Sequence, residues 1–594
     1  LICGGLKSIH GYCRAATSQK NYSNKFYDTA FLATNCGYDG THFDFIVVGG
    51  GSAGCAVAAR LAETRAHVLL IEAGPDPPPD TVVPGFRNVL KSSPYDWNFT
   101  TVNDGYTSQS LAGGRQQQPR GRMLGGSGSL NDMVYARGHP TDYDEWAASA
   151  GDDWNWTNVL EYFKKTEYIT DENIVNNPEL MRFHGREGEI EVTGSKVSTF
   201  TTGKFLDAFA ELGFDMVDDM TYPNKIGAGR FSHTVRNGRR ESTLTALLNR
   251  AYDENLYVMR NAFATKIVIQ NKTAAGVKLT TNDEEMVLFA DKEVILSAGT
   301  FNTAKLMLLS GIGPKSHLDE LDIEVVQDLP VGSNLHDHVM VVSYLAAEPG
   351  TCIANETSQY FEIIKYLYDS TGVLSLSDSM AAYIPQSGGR PDVQHFALYP
   401  SCIPLSTFKY EGCLAQGGYN DRVCRTLHAE NTKKELIAVA VVLLKPKSRG
   451  KVRLKSADPQ EDPLIFAGTF SNVEDFVGYA EAMKIAWSIA ETSYFREKKA
   501  YVIDFDIEEC SMLADVEFIR CQVKNLAMSA WHSVGTAAMG AVVDAQLRVF
   551  GVAGLRVADA SVMPVIVRGN TNAPVVMIAE KSAAFIKQTY DGLI

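Results

Sequence analysis

The sequence predicts an α/β protein built on a parallel, Rossmann-like sheet whose strands are separated by long insertions. Three observations carry this. First, the apolar run Phe45–Val48, a glycine cluster, the helix-like stretch Cys55–Leu61 and a second apolar run Val68–Ile71 read as strand, turn, helix and strand, a βαβ unit. Second, the next clear strand–helix pair, Val294–Leu296 followed by Thr303–Leu309, comes only after a long gap, so the domain is discontinuous. Third, Leu256–Met259, Lys266–Ile269 and Met286–Phe289 are short strand candidates separated by turn residues, which suggests an antiparallel meander. The Pro-rich stretch 75–84 can continue neither a sheet nor a helix.

With 594 residues, 45% hydrophobic and 21% charged, the chain can bury a large core. Its net charge of -15 argues against a nucleic-acid partner, because tracking phosphates requires clustered Lys and Arg. No apolar run approaches the roughly 20 residues of a membrane-spanning helix, so no membrane partner is expected. A small molecule is the expected partner.

Ten cysteines are present without a Cys-x2-Cys pair, which weakens a zinc reading. Cys402, Cys413 and Cys424 are evenly spaced, and Cys510 and Cys521 repeat the interval, a pattern that would allow short disulfide loops. Cys55 on the first helix reads as a buried thiol. Glycosylation sequons begin at Asn21, Asn98, Asn155, Asn271 and Asn355, and the chain starts at Leu1 rather than Met. Together these features favour a secreted protein.

Gly49-Gly50-Gly51-Ser52-Ala53-Gly54 follows a strand and opens a helix. Gly49 allows the tight turn, Gly51 lets backbone approach a pyrophosphate, Gly54 brings helix against sheet, and Ser52 and Ala53 place helix N–H groups toward the anion. Glu72, followed by Ala73, closes the second strand where a carboxylate accepts from both ribose hydroxyls. That carboxylate disfavours a 2′-phosphate and so NADP. The motif itself leaves NAD and FAD open.

Longer motifs bear on that choice. Pro119 to Gly138 (PRGRMLGGSGSLNDMVYARG) and Gly299 to Gly313 (GTFNTAKLMLLSGIG) resemble the two signatures of the glucose-methanol-choline (GMC) oxidoreductases. Leu329 to His338 and the tail from Trp531-His532-Ser533 to Gly569-Asn-Thr-Asn-Ala-Pro574 match further family segments in the same order. The resemblance implies FAD, with Gly125, Gly126 and Ser127, then Asn131, Met133 and Val134, along the pyrophosphate and isoalloxazine. It places Ala264 against adenine and Asp559 and Ala560 near the ribityl chain. Some members attach FAD through a histidine where this chain has Leu130, so the FAD is expected to be non-covalent.

Oxidising an alcohol requires a base for the hydroxyl proton while the α-hydride passes to flavin. Of 12 histidines, His532 lies in the segment that resembles the family's catalytic one, and the same resemblance pairs it with Asn572. An amide can donate to the alkoxide but cannot carry the proton's charge, which leaves His532 as the base. His336 and His338 alternate as metal ligands on a strand could, but the resemblance makes them part of a structural or flavin-adjacent loop, and no metal is expected.

The resemblance further implies an FAD-binding domain from residues 43–150, 227–335 and 532–594, and a substrate domain from 151–226 and 336–531. The latter is α+β, with an antiparallel sheet roofing the flavin; residues 1–42 form an arm. The pattern is similar to the insect branch of the family, which includes glucose dehydrogenases, ecdysone oxidases and salicyl alcohol oxidases. The expected reaction is oxidation of a small aryl or allylic primary alcohol by O2, with a quinone-dependent glucose dehydrogenase or a silent flavin-binding paralogue as alternatives. Aromatic residues between 340 and 430, including Tyr344, Phe396 and Tyr399, would wall such a substrate.

Overall fold

The strand His42–Val48 organises the first of two large sheets. Its apolar run pairs in parallel with Val68–Ile71 on one side and with Glu284–Leu296 on the other. Both runs are buried throughout their apolar cores, as required of parallel strands covered on both faces. The computed structural model describes residues 39–592 apart from 195–199, 224, 252–253, 353–358 and 376–378. Most of the N-terminal arm, with Cys3, Cys13, Cys36 and Asn21, lies outside the described residues, as does Asn355.

From one edge, the sheet runs Leu256–Met259, Val68–Ile71, His42–Val48, Glu284–Leu296, Thr273–Thr281 and Phe263–Gln270. Leu555–Val557 joins in parallel against the end of Glu284–Leu296. That long strand serves two partners. Its first half closes an antiparallel meander, and its last residues run parallel to Phe45–Val48. The meander turns, Asn271-Lys272 and Asn282-Asp283, hold all four residues at positive φ, the geometry of tight hairpins.

The meander is made by Phe263–Gln270, Thr273–Thr281 and Glu284–Leu296. Leu256–Met259, expected within it, is instead the parallel edge strand beside Val68–Ile71. Asn255 pins it there, donating its side-chain amide to the carbonyls of Thr64 and Ala66. A short apolar run without alternation suits either geometry, so this side-chain anchor decides the pairing.

Helices Ser52–Ala62 and Asn572–Thr589 pack together behind the sheet. Arg60 on the first gives its Nε–H to Glu580 on the second at 2.7 Å, and Lys165 takes the other Glu580 oxygen at 2.7 Å. Arg60 also reaches Glu189 and Glu63, so a small, partly buried charge network fixes one helix against the other.

The second sheet is antiparallel, ordered Tyr501–Val502, Val339–Ala347, Glu435–Leu443, Gln394–Ile403, Met380–Pro385 and Ala228–Arg230. Ala228–Arg230, read with the first domain in the sequence, belongs to this sheet through Met380–Ala382. Side-chain alternation gives the sheet two uses. Val439, Val441 and Leu443 join a core under helices Phe200–Glu211, Asp421–Asn431, Tyr479–Ser488 and Asp515–Leu526. Ala440, Val442 and Leu444 face a cavity shared with the first sheet's loops.

Three disulfides staple this second unit: Cys352–Cys402, Cys413–Cys424 and Cys510–Cys521. Two are the short loops that the spacing allows, whereas Cys402 reaches back across the sheet to Cys352. Cys55 is a free, buried thiol. Loop-closure entropy assigns about 4 kcal/mol to the 50-residue loop and about 3 kcal/mol to each 11-residue loop. Replacing Cys352 and Cys402 together by Ser should therefore lower thermal stability more than removing either short loop. Equal or reversed losses in a thermal-unfolding series would contradict this ordering.

Candidate active site

A cavity of about 560 Å³ opens between the loops of the first sheet and the inner face of the second. One end is made of glycine-rich backbone. Gly54 sits so close to the preceding turn that a Cβ would lie 1.8 Å from the Gly49 carbonyl oxygen. Gly125 donates its N–H to Gly50 O at 2.7 Å, and a Cβ on Gly126 would meet Gly51 Cα at 2.7 Å. The two glycine loops thus interlock, with Gly54 and Gly125 behind the wall. Gly49, Gly51, Ser52, Ala53, Gly126 and Ser127 form the wall itself.

These residues fit a dinucleotide such as FAD. Glu72 lines the cavity beside Ala73 and accepts from Gly50 N–H and Gly74 N–H, both at 2.8 Å, one on each oxygen. Each oxygen keeps a lone pair for a ribose hydroxyl. Burial pushes the carboxyl up to about 7, against those two backbone donors, so a further pair of donors would be stabilising. Helix Ser52–Ala62 begins at the cavity with no side-chain cap and no acidic residue in its first turn. Its free N–H groups suit a pyrophosphate.

Helix Asn572–Thr589 also begins uncapped at the cavity. Helix Gly299–Leu309 differs, because Asp559 accepts from Gly299 N–H and the Thr303 hydroxyl with one oxygen and from Ser561 with the other. Asp559 and Ala560 line the cavity, as do Asn131, Met133, Val134 and Ala264. Leu130 lines it too and offers no atom for a covalent bond to a flavin.

At the other end stands His532. Its ring Nδ1 is 3.0 Å from His338 Nδ1, and its Nε2 is 3.1 Å from Asn570 Nδ2. The protons follow from the last acceptor in the chain. His338 Nε2 lies 2.9 Å from the Val567 carbonyl, which can only accept, so Nε2 carries the proton and Nδ1 of neutral His338 is bare. His532 must then donate from Nδ1, leaving its Nε2 as a lone pair in the cavity. The Asn570 amide donating to Nε2 requires the same tautomer.

Both imidazoles are held neutral. Burial lowers His532 to about 4, reinforced by the Arg120 guanidinium and opposed by Asp132. Burial lowers His338 to about 3, with His532 adding to the effect.

The loop carrying His338 fastens His532 through its backbone as well. Asp337 accepts the His532 N–H at 2.8 Å and the hydroxyls of Ser529 and Ser533. His336 gives Nδ1–H to Asn334 O at 2.6 Å and accepts Ile566 N–H on Nε2 at 2.9 Å. Asp337 and His338 thus hold His532 directly, while His336 ties the loop itself to Ile566. Among the described residues there is no group of His, Cys, Asp or Glu that could hold a metal.

The geometry corrects one assignment. Asn572, matched to His532 in the sequence, is the first residue of its helix and accepts the Ser52 hydroxyl at 2.8 Å. Asn570, two residues earlier, reaches the base, and its own Oδ1 is buried with no partner. Both line the cavity, but Asn570 meets His532 and Asn572 joins the glycine-loop helix. Of the cap aromatics expected to wall the substrate, Tyr399 alone among the described residues lines the cavity; Tyr344 and Phe396 belong to the core beneath the sheet.

A dinucleotide cradle ending at a neutral, oriented imidazole defines a flavin-dependent oxidoreductase acting on alcohols. Two family models, both for GMC oxidoreductases, match residues 43–340 and 446–579, and the chain belongs to that family. It is 58% identical to the ecdysone oxidase of Bombyx mori over 93% of this chain and 83% of that protein. It is 56% identical to the ecdysone oxidase of Spodoptera littoralis over 93% of this chain and 92% of that one. A crystal structure of formate oxidase superposes with a TM-score of 0.80 at 28% identity, covering 94% of this chain and all of the other.

Two outcomes follow. With the base near 4, kcat/KM should stay level from neutral pH downward and fall only as pH drops through about 4, as Nε2 takes a proton. An acid limb centred near 6.5 would contradict the held-down base. Asn570→Ala should lower kcat by about 10²- to 10³-fold, the usual cost of one alkoxide donor, and Asn572→Ala should mainly loosen FAD. Steady-state rates and flavin content read the difference, and a larger kcat loss in the Asn572 variant would reverse the assignment.

Proposed function

We propose that the protein oxidises a hydroxyl of an ecdysteroid, or of a similarly large oxygenated alcohol, to a carbonyl, with O2 reduced to hydrogen peroxide. The observation that carries this is the identity of 58% and 56%, over 93% of the chain, to two ecdysone oxidases. The cleft supports it. Met340, Met380, Val442 and Leu444 present an aliphatic wall beside Tyr399 and Trp531, which suits a large, mostly saturated ring system.

The chain's own groups divide the work. An alcohol entering beside His532 gives its proton to Nε2 and receives the Asn570 N–H on its oxygen, replacing the present contact between the two residues. His338 and Val567 keep the ring from turning while Nε2 becomes cationic. Gly49, Gly51, Gly126 and Glu72 would hold FAD, which would supply the two-electron acceptor for the carbinol hydride and, through it, the route to O2. The buried, apolar wall excludes water, which strengthens every hydrogen bond to the developing alkoxide.

Three disulfides in the substrate-side unit support export to an oxidising compartment. Among the described residues no helix is long and apolar enough to cross a membrane.

The test offers the purified protein ecdysone, salicyl alcohol, 8-hydroxygeraniol and glucose under air, and in parallel an artificial electron acceptor. Peroxide should form fastest with ecdysone, one per steroid oxidised. Faster peroxide release with salicyl alcohol would return the substrate to the small aryl class. Acceptor reduction without peroxide would make the protein a dehydrogenase.

A further inference from the structure

The cleft wall beside the base holds a cation that the chemistry above does not use. Lys91 lines the cavity, and its ammonium lies over the ring of Trp531, 3.9 Å from the centroid. Trp531 immediately precedes His532 and is held at φ +66, a backbone conformation that bulky residues rarely adopt. The neighbouring cation, Arg87, is committed to Asp132 at 3.3 Å. Among the described residues, by contrast, no side-chain or backbone acceptor hydrogen-bonds the Lys91 ammonium, which rests on the Trp531 face.

An ammonium has three donors, and an indole face offers electrostatic attraction without a lone pair. A cation turned from water into a cleft and given only a ring gains from any oxygen brought against it. Burial lowers its pKa, with Arg87 and Arg240 pushing the same way and Asp132 and Asp96 opposing. Of these neighbours, Arg87 and Asp132 line the same cavity.

We propose that Lys91 and Trp531 form a subsite for an oxygen acceptor carried by the substrate outside the carbinol being oxidised, so that the cleft selects polyoxygenated alcohols over alcohols with a single hydroxyl. The subsite rests on the alcohol-oxidising reading of the same cleft and names its specificity. Trp531 supplies a flat face and holds the cation in place. Lys91 donates to a second hydroxyl or carbonyl, and the carbinol reaches His532 next door.

The experiment compares FAD-loaded wild type, Lys91→Met and Lys91→Arg on ecdysone and on a steroid whose only oxygen is the oxidisable hydroxyl. The reading is the ratio of the two kcat/KM values. Losing a hydrogen bond from a charged donor should lower that ratio about 10- to 100-fold in Lys91→Met, mostly through a higher KM for ecdysone. Lys91→Arg, which keeps a stacked cation with donors, should recover much of it. Equilibrium dialysis of ecdysone should show the same order of affinities.

An unchanged ratio in Lys91→Met, or a loss of bound FAD with no change in selectivity, overturns the subsite. If wild type oxidises neither steroid, the ecdysteroid reading fails by itself. The subsite is then judged on cyclohexane-1,2-diol against cyclohexanol with the same variants, and turnover of none of the four alcohols overturns both.

Discussion

A carbonyl oxygen can only accept a hydrogen bond, and the Val567 carbonyl sets the protonation pattern of the whole site. It obliges His338 to be protonated on Nε2, which obliges His532 to be protonated on Nδ1, which turns the His532 lone pair into the cleft. The same orientation demanded of a positioned base is thus written into three atoms remote from the substrate. Were Val567 O free to turn away, only the Asn570 amide would still hold the His532 tautomer.

The remaining architecture keeps that chain dry and in register. Burial makes both imidazoles poor proton holders, so His532 stays neutral through the physiological range while its Nδ1–H keeps a hydrogen-bond acceptor in His338. Asp337 does for the backbone what His338 does for the ring, taking the His532 N–H and two serine hydroxyls. Met133 and Trp531, on opposite approaches to the site, sit at φ +59 and +66, local strain that the surrounding hydrogen bonds must outweigh. The second sheet closes the cleft with aliphatic side chains from one face, and the disulfides and helices brace the other.

The cradle was legible because its physics is local. A strand, three glycines, a helix start and Glu72 lie within one βαβ unit, and the structure brings them together along one end of the cavity. His532 was legible through the segment around it. Its partners were not. Two asparagines stand in Asn570-Thr571-Asn572, and which one faces the base depends on where the helix begins, a tertiary fact. His338 read as part of a loop because its partners are 194 and 229 residues away. Aromatic counting was a partial guide to the substrate wall: Tyr344 and Phe396 alternate onto the core face, and on that sheet the cleft is left to Tyr399 with Met, Val and Leu. Cys402 had a regular spacing to Cys413, but the sheet brings Cys352 closer.

The most direct test of the oriented base is anaerobic reduction of bound FAD by ecdysone, followed by stopped-flow absorbance in wild type and His532→Ala. Loss of a general base should slow flavin bleaching by about 10²- to 10⁴-fold while FAD content and the oxidised spectrum stay the same. Bleaching at the wild-type rate in the alanine variant would show that the proton leaves by another route and would contradict the account.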